Sequence, residues 1–405
     1  MRVLALAASI VVTLAAAGCA ALLVVPAPTK PLAFLSLVVD EKTWVLVGAA
    51  LVAAGLARAG RARPWSVAQA ILTAVIVALA CVPVAQAVSL AARRRVSFEF
   101  SRWLAAPLDV GAARPAQTIV YATVDGRPLA LDVYRPVEPV AGARVPAVVV
   151  IHGGGWSADD KGDAPRASAW LAARGYAVFD VQYRLAPQPN WQTALGDVKC
   201  AIGWVKRHAR DAGVDVDPDA VTLLGRSAGG HLALLAAYTP DDPALPPSCE
   251  AGDTRVAAVI SYYGFTDLTW AYANPGNPRV FDTRARVGNF LGGTPATVPE
   301  RYRLMSPTER ATARAPRTLL VHGGRDRFVD VAHVELLASR LRALGVPHDV
   351  LVVPYAQHAF DFVAGGLGGQ LAENSVLRIL RSPPRATGPS PTSSPIPSPT
   401  PSPTP

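Results

Sequence analysis

Charge is the first thing this chain lacks. Only 17% of its 405 residues are Asp, Glu, Lys or Arg, against about 25% in ordinary soluble proteins. Part of the chain is therefore not in water, and a simple soluble cytosolic enzyme is disfavoured. Cysteine is scarce as well. There are four, and two of them, Cys19 and Cys81, sit in an apolar front end. That excludes a disulfide scaffold and any Cys-rich zinc fold. No group of His, Cys and carboxylate residues has ligand spacing, so no metal site is expected. The net charge of +9 is spread over many arginines without interleaved aromatics. It points away from nucleic acid and towards a mild attraction to anionic lipid headgroups.

What is present is unevenly distributed. Residues 1–95 read as a membrane region of two or three transmembrane helices, with apolar stretches at 3–25, 43–57 and 65–92. A span needs about 20 apolar residues, so the first and third qualify and the second is marginal. Arg2 and the small residues around Ala17 also fit a cleaved signal peptide. The run Ala16-Ala17-Gly18-Cys19 resembles a bacterial lipoprotein processing site but lacks Leu three residues before the cysteine. The positive-inside rule divides here: Arg58, Arg61 and Arg63 argue for one orientation, and Arg93, Arg94 and Arg95 for the other. Residues 382–405, mostly Pro, Ser and Thr, cannot build a core and read as a disordered tail. Such tails are typical of stalks outside cells. The balance favours a multi-pass protein of the cell membrane whose main domain is extracytoplasmic, joined by a juxtamembrane linker at 96–116.

From residue 117 to 381 the period changes. Residues 118–124 and 129–134 alternate like a hairpin around Asp125-Gly126. Strands follow at 146–151, 176–181, 221–224, 256–262, 318–321 and 348–353. Helices are expected at 164–174, 192–212, 228–237, 331–344 and 370–381, with a polar, Pro-rich insertion at 264–315. This alternation predicts one mostly parallel sheet covered by helices on both faces. Its ligands belong beyond the carboxyl ends of the strands.

The chemistry-bearing residues fall at those ends. Gly225-Arg226-Ser227-Ala228-Gly229 follows a strand and opens a helix, the context that G-x-S-x-G requires. His152-Gly153-Gly154-Gly155-Trp156 follows another strand, and its glycines leave backbone N–H groups uncovered to meet an oxyanion. A base and an acid should then follow in the order Ser, acid, His. Of the seven histidines, only His358 lies in a loop just after a late strand. The same test selects Asp326, with Asp330 and Asp361 as fallbacks and Asp267 weaker. In this scheme Ser227, His358 and Asp326 act as nucleophile, base and orienter, and Gly153, Gly154 and Ala228 supply the oxyanion hole.

At these residues the chain resembles the α/β-hydrolase superfamily, and within it the hormone-sensitive-lipase-like esterases. The glycine loop His152–Gly155 and the nucleophile run Gly225–Gly230 are similar to theirs, as are Tyr183-Arg184-Leu185-Ala186-Pro187 and the stretch from Asp197 to Trp204. Gly155-Trp156 also resembles related carboxylesterase and kynurenine-formamidase branches. The resemblance covers residues 117–381. It implies an α/β-hydrolase fold preceded by transmembrane helices, hydrolysis of carboxylic esters, and neither metal nor cofactor. The usual soluble N-terminal cap is replaced by membrane spans. The insertion at 264–315 is therefore the expected lid, with Trp156 and Trp270 as substrate-binding residues and Tyr272 and Phe290 as further pocket walls.

The leading expectation is a membrane-anchored serine esterase acting on a small-molecule or lipid ester of short or medium acyl length. An envelope acyltransferase would use the same triad, and a non-catalytic membrane scaffold is the alternative of a different class. Cys200 and Cys249 fit either a disulfide, which an extracellular domain would allow, or two buried thiols.

Overall fold

The structure, a computed structural model, describes residues 1–60, 63–105, 113–137 and 144–382. The Pro/Ser/Thr tail beyond Ser382 and the middle of the expected linker, residues 106–112, lie outside the described residues.

The front end folds as four helices: α1 (Arg2–Ala21), α2 (Lys30–Glu41), α3 (Trp44–Gly60) and α4 (Arg63–Arg94). α1 and α4 are each long and apolar enough to cross a bilayer, and α2 with α3, bent by 89° at their junction, forms a third candidate span. The apolar stretches anticipated α1, α3 and α4. They missed α2, because Lys30, Asp40 and Glu41 dilute its hydropathy. Ala50, Ala53 and Ala57 on α3 have no exposure at all. Such small side chains let helix backbones approach closely, and Ser9 Oγ on α1 donates to the Ala53 carbonyl at 2.8 Å. The outer faces keep Leu4, Val11, Leu14, Val67 and Ile71 exposed. After the short α5 (Phe100–Leu104) the chain enters the sheet.

β1 (Gln117–Val124) and β2 (Arg127–Tyr134) pair antiparallel across Asp125 and Gly126, both at positive φ, as a two-residue hairpin turn requires. The remaining strands are β3 (Val145–Ile151), β4 (Ala177–Val181), β5 (Val216–Arg226), β6 (Ala258–Tyr262), β7 (Arg317–Gly323) and β8 (His348–Val353). The sheet order is β1-β2-β4-β3-β5-β6-β7-β8. β2 runs antiparallel to β4, and every pair from β4 to β8 is parallel. Parallel neighbours need crossovers. These contain α6 (Pro165–Ala172), α7 (Trp191–His208), α8 (Ala228–Tyr238), the insertion helices α9 (Leu268–Ala273), α10 (Thr283–Leu291), α11 (Pro299–Leu304) and α12 (Pro307–Arg310), and α13 (Ala332–Ala343). α14 (Leu367–Leu380) closes the domain.

Both sheet faces are covered, so the central strands are apolar throughout rather than alternating. Val148, Val149, Val150 and Ile151 are all buried, each contributing about 1.5–3 kcal/mol by leaving water. One of the two sheet cores includes front-end residues: Leu37, Ala87, Leu90 and Ala91 pack in the same cluster as Val148, Ile260 and Leu319. Arg94 at the end of α4 pairs with Asp349 on β8 at 2.8 Å. Register sets the level of the site. Gly225 on β5 stands opposite Ile151 on β3 and Ser261 on β6, so the glycine loop and Ser227 emerge from the sheet side by side.

Candidate active site

Ser227 occupies the turn between β5 and α8 at φ 54° and ψ −119°, a left-handed conformation that non-glycine residues adopt only when their surroundings enforce it. The enforcement comes from crowding. A Cβ on Gly225 would lie 2.1 Å from the Gly229 carbonyl oxygen, and one on Gly229 would lie 2.2 Å from the carbonyl oxygens of Ile151 and His152. Only glycine fits either position. The serine is thus held half-buried at the amino end of α8, whose first N–H groups have no partner within the helix.

The glycine loop lies against it. A Cβ on Gly153 would be 3.4 Å from the Ser227 Cβ, and Gly154 and Gly155 both take positive φ. The motif Tyr183-Arg184 braces this loop. Tyr183 donates its hydroxyl to the Gly153 carbonyl at 2.9 Å and stacks on His152 at 4.3 Å. Arg184 is clamped by two bonds to Asp197, both 2.8 Å. Asn190 then ties the Arg184 and Trp156 carbonyls together. The N–H groups of Gly154 and Ala228 carry no hydrogen bond among the described residues. Asp163, whose carboxyl burial pushes up, also faces the Gly153 N–H.

Of the two late loops, one brings Asp326 three residues past β7 and the other His358 five residues past β8. Asp326 Oδ2 receives a hydrogen bond from His358 Nδ1 at 2.7 Å. Asp326 Oδ1 accepts the N–H groups of Phe328 and Val329 at 2.8 and 2.9 Å. Burial alone would raise this carboxyl's pKa. The charge and hydrogen bonds of His358 and His322 win and hold it well below the ordinary carboxylate range. Phe328 stacks on the His358 ring with centroids 4.9 Å apart, and the Tyr263 ring lies tilted against the same imidazole with centroids 4.4 Å apart. Tyr263 also links His358 to the serine, because the preceding carbonyl, that of Tyr262, accepts the Ser227 N–H at 2.9 Å. Ser227 Oγ itself makes no hydrogen bond among the described residues.

The other candidates are engaged elsewhere. Asp361 pairs with Arg226 at 2.7 Å and accepts the Tyr263 hydroxyl. Asp330 accepts the Ala332 N–H, and Asp267 caps α9. Trp156 departs from expectation. Its indole is wholly buried, stacked on Phe290 at 4.4 Å, with Nε1 donating to His231 at 3.2 Å. Both Trp156 and Phe290 are fully buried and pack on each other. Trp270 does line a cavity of about 330 Å³, shared with Phe265, Phe328, Asp326 and, unexpectedly, Pro26 to Pro28 of the front end. The connection from α1 to α2 docks there through Asn277 Nδ2 to the Pro28 carbonyl at 3.1 Å and through Leu22, Ala27 and Ala33 against Val280. Cys200 and Cys249 form a disulfide, with Cα atoms 5.5 Å apart.

Comparison with known proteins agrees with this architecture. The family model BD-FAE matches residues 131–341, just over half of the chain. The chain is 33% identical over 250 residues to the probable carboxylic ester hydrolase LipM of Mycobacterium tuberculosis, covering 61% of this chain and 57% of LipM. It is 32% identical over 252 residues to esterase LipQ of the same organism, covering 61% and 58%. The matches thus span under three fifths of the length of these curated relatives. Among solved structures, the propionate-bound thermophilic esterase Est2 of Thermogutta terrifontis superposes with a TM-score of 0.53 at 26% identity. That match covers 67% of this chain and 93% of Est2.

Proposed function

The chain belongs to the BD-FAE family and has the α/β-hydrolase fold, and from that premise we propose that it is a membrane-anchored serine esterase that hydrolyses carboxylic esters through an acyl-enzyme. The observation that carries the reading is the 2.7 Å hydrogen bond between His358 and Asp326 at the same sheet end as the strained Ser227. The names of LipM, LipQ and Est2 support ester hydrolysis.

In this mechanism Ser227 Oγ attacks the ester carbonyl carbon while its proton passes to His358 Nε2, the nitrogen not bonded to Asp326. Asp326, kept ionised, fixes the imidazole tautomer and stabilises the imidazolium. The carbonyl oxygen becomes an oxyanion between the N–H groups of Gly154 and Ala228, where each donor is worth about 3 kcal/mol, since the Gly153 N–H faces the Asp163 carboxyl. The tetrahedral intermediate collapses, and the alcohol leaves with the proton from His358. Water, deprotonated by the same histidine, then attacks the acyl-serine and frees the acid. The cavity beside Trp270, walled partly by the front end, accommodates the apolar part of a small-molecule or lipid ester.

The anchor consists of α1 and α4, with the bent pair α2 and α3 as its third, broken span. The extracytoplasmic side is favoured by the Cys200–Cys249 disulfide, which persists in oxidising compartments. Arg94, counted above against that orientation, is engaged with Asp349 of the main domain. The test is turnover of p-nitrophenyl esters of graded chain length by the full chain in detergent. Ser227→Ala should lower kcat on the order of 10⁶-fold and abolish labelling by a fluorophosphonate. Unchanged turnover in that variant rejects the serine mechanism.

A further inference from the structure

At the junction of α2 and α3, in an otherwise apolar region, stand three consecutive charged residues, Asp40-Glu41-Lys42. All three are buried. Charges so placed are expensive unless partnered, and each finds a partner beyond the membrane region, Lys42 in the linker and the two acids in the main domain. Lys42 Nζ donates to the Trp103 carbonyl at 2.8 Å. Glu41 accepts the Gly368 N–H at the start of α14 at 2.9 Å. Its carboxylate fits there because Gly366 and Gly368 have no side chains; a Cβ on either would lie within 2.5 Å of it.

Asp40 is placed differently from the other two. One carboxylate oxygen pairs with Arg325 at 3.2 Å, and the other accepts Gln357 Nε2 at 3.1 Å. Arg325 immediately precedes Asp326, and Gln357 immediately precedes His358. The same guanidinium also donates to the Leu22 carbonyl at the end of α1 at 2.8 Å. The two loops have their own backbone links, Gly324 N–H to the Val353 carbonyl at 2.8 Å and Arg325 N–H to the Ala356 carbonyl at 2.9 Å, but both precede Asp326 and His358 and neither holds a side chain. Asp40 fixes both side chains next to the reacting pair from outside the domain, with no exposure of its own carboxylate.

We propose that Asp40 is a positioning residue of the active site: a carboxylate of the membrane region that clamps the loops of the catalytic acid and base at their catalytic spacing. The proposal rests on the Ser227–His358–Asp326 reading. Asp40 touches no reacting atom. It acts through Arg325 and Gln357, so its loss lets His358 and Asp326 drift apart and falls chiefly on kcat, while Phe265 and Trp270 on the opposite wall of the cavity keep their places.

The test uses the full chain in detergent, with kcat, KM, fluorophosphonate labelling rate and melting temperature measured together. Asp40→Ala should lower kcat and labelling rate by about 10²-fold, the effect of an ångström-scale misplacement, with KM little changed. Asp40→Asn should recover most of the loss, since Asn accepts from Arg325 and donates to the flipped Gln357 amide. Asp40→Ala combined with Arg325→Ala should be no slower than Asp40→Ala alone, as expected of one network. If Asp40→Ala does not fold, Gln357→Met carries the test: it cuts one arm of the clamp with little change in shape and should still slow kcat at a native melting temperature. A native-melting Asp40→Ala or Gln357→Met with wild-type kcat, or a loss confined to KM, overturns the proposal. Turnover surviving in Ser227→Ala instead overturns the underlying serine reading.

Discussion

β3 and α4 are written in nearly the same alphabet, Val, Ala, Ile and Pro with hardly a charge, yet they solve opposite problems. In β3 the run Val148 to Ile151 is sealed between helices. In α4, Val67, Ile71 and Val75 are at least half exposed, a face suited to hydrocarbon and costly in water. The charged residues cross this boundary. The helical end turns its buried Asp40 and Glu41 towards the sheet domain and Lys42 towards the linker, while Glu41 Oε1 on one side and one oxygen each of Asp163 and Asp180 on the other stay buried without a hydrogen bond among the described residues. Composition says that a segment avoids water. Only the positions of the few charges say what it faces instead.

The sharpest way to break this comparison is to separate its halves. Deleting residues 1–95 removes Asp40 together with Leu37, Ala87, Leu90 and Ala91 from the sheet core. Ester turnover should fall by at least about 10²-fold, and the remaining domain should expose apolar surface detectable by dye binding. Full activity in a monodisperse truncated domain would show two independent units. A smaller effect is expected from the one cross-link found among the described residues. Cys200→Ser opens a bridge across 49 residues, which the chain-entropy model values at about 4 kcal/mol. The sheet domain's melting temperature should drop by about 10 °C, and dithiothreitol should reproduce the shift in the parent protein but not in the variant.

How much of this was readable in advance depends on how local each cause is. Gly225 and Gly229 are dictated by a turn five residues long, so the tight strand-to-helix turn that carries Ser227 was legible. Asp326 and His358 were found because both follow strands, a rule that needs only element order. Trp156 misled: beside an oxyanion loop it reads as a pocket wall, but its orientation depends on Phe290, far along the chain. The ties of Asp40 to these two loops were illegible, since its partners lie 285 and 317 residues away. The only local sign was three charges in an apolar stretch, and hydropathy averaging hides such a sign.

The smallest predicted effect sharpens the contrast between partnered and unpartnered buried acids. Asp180 lies on β4 with one oxygen accepting the Gly162 N–H at 3.0 Å and the other without a partner. Burial, reinforced by the charge of Asp163, pushes its pKa up to about 8, against about 3.9 in an unfolded chain. Between those two values the folded protein holds a proton that the unfolded chain has released, so stability falls as pH rises from about 4 to about 8. Asp326 has the opposite sign. Its depressed pKa gives stability that is full above about 4 and is lost as pH falls through the folded value. Asp180→Asn removes the first titration while keeping an acceptor for Gly162. At about pH 3.5, where Asp180 is largely protonated in the folded and the unfolded chain alike, the variant should melt close to the parent. At pH 8.5 it should melt higher by a few degrees, flattening the alkaline decline. A decline as steep in the variant as in the parent would mean that Asp180 is ionised in the fold and that the decline comes from other groups.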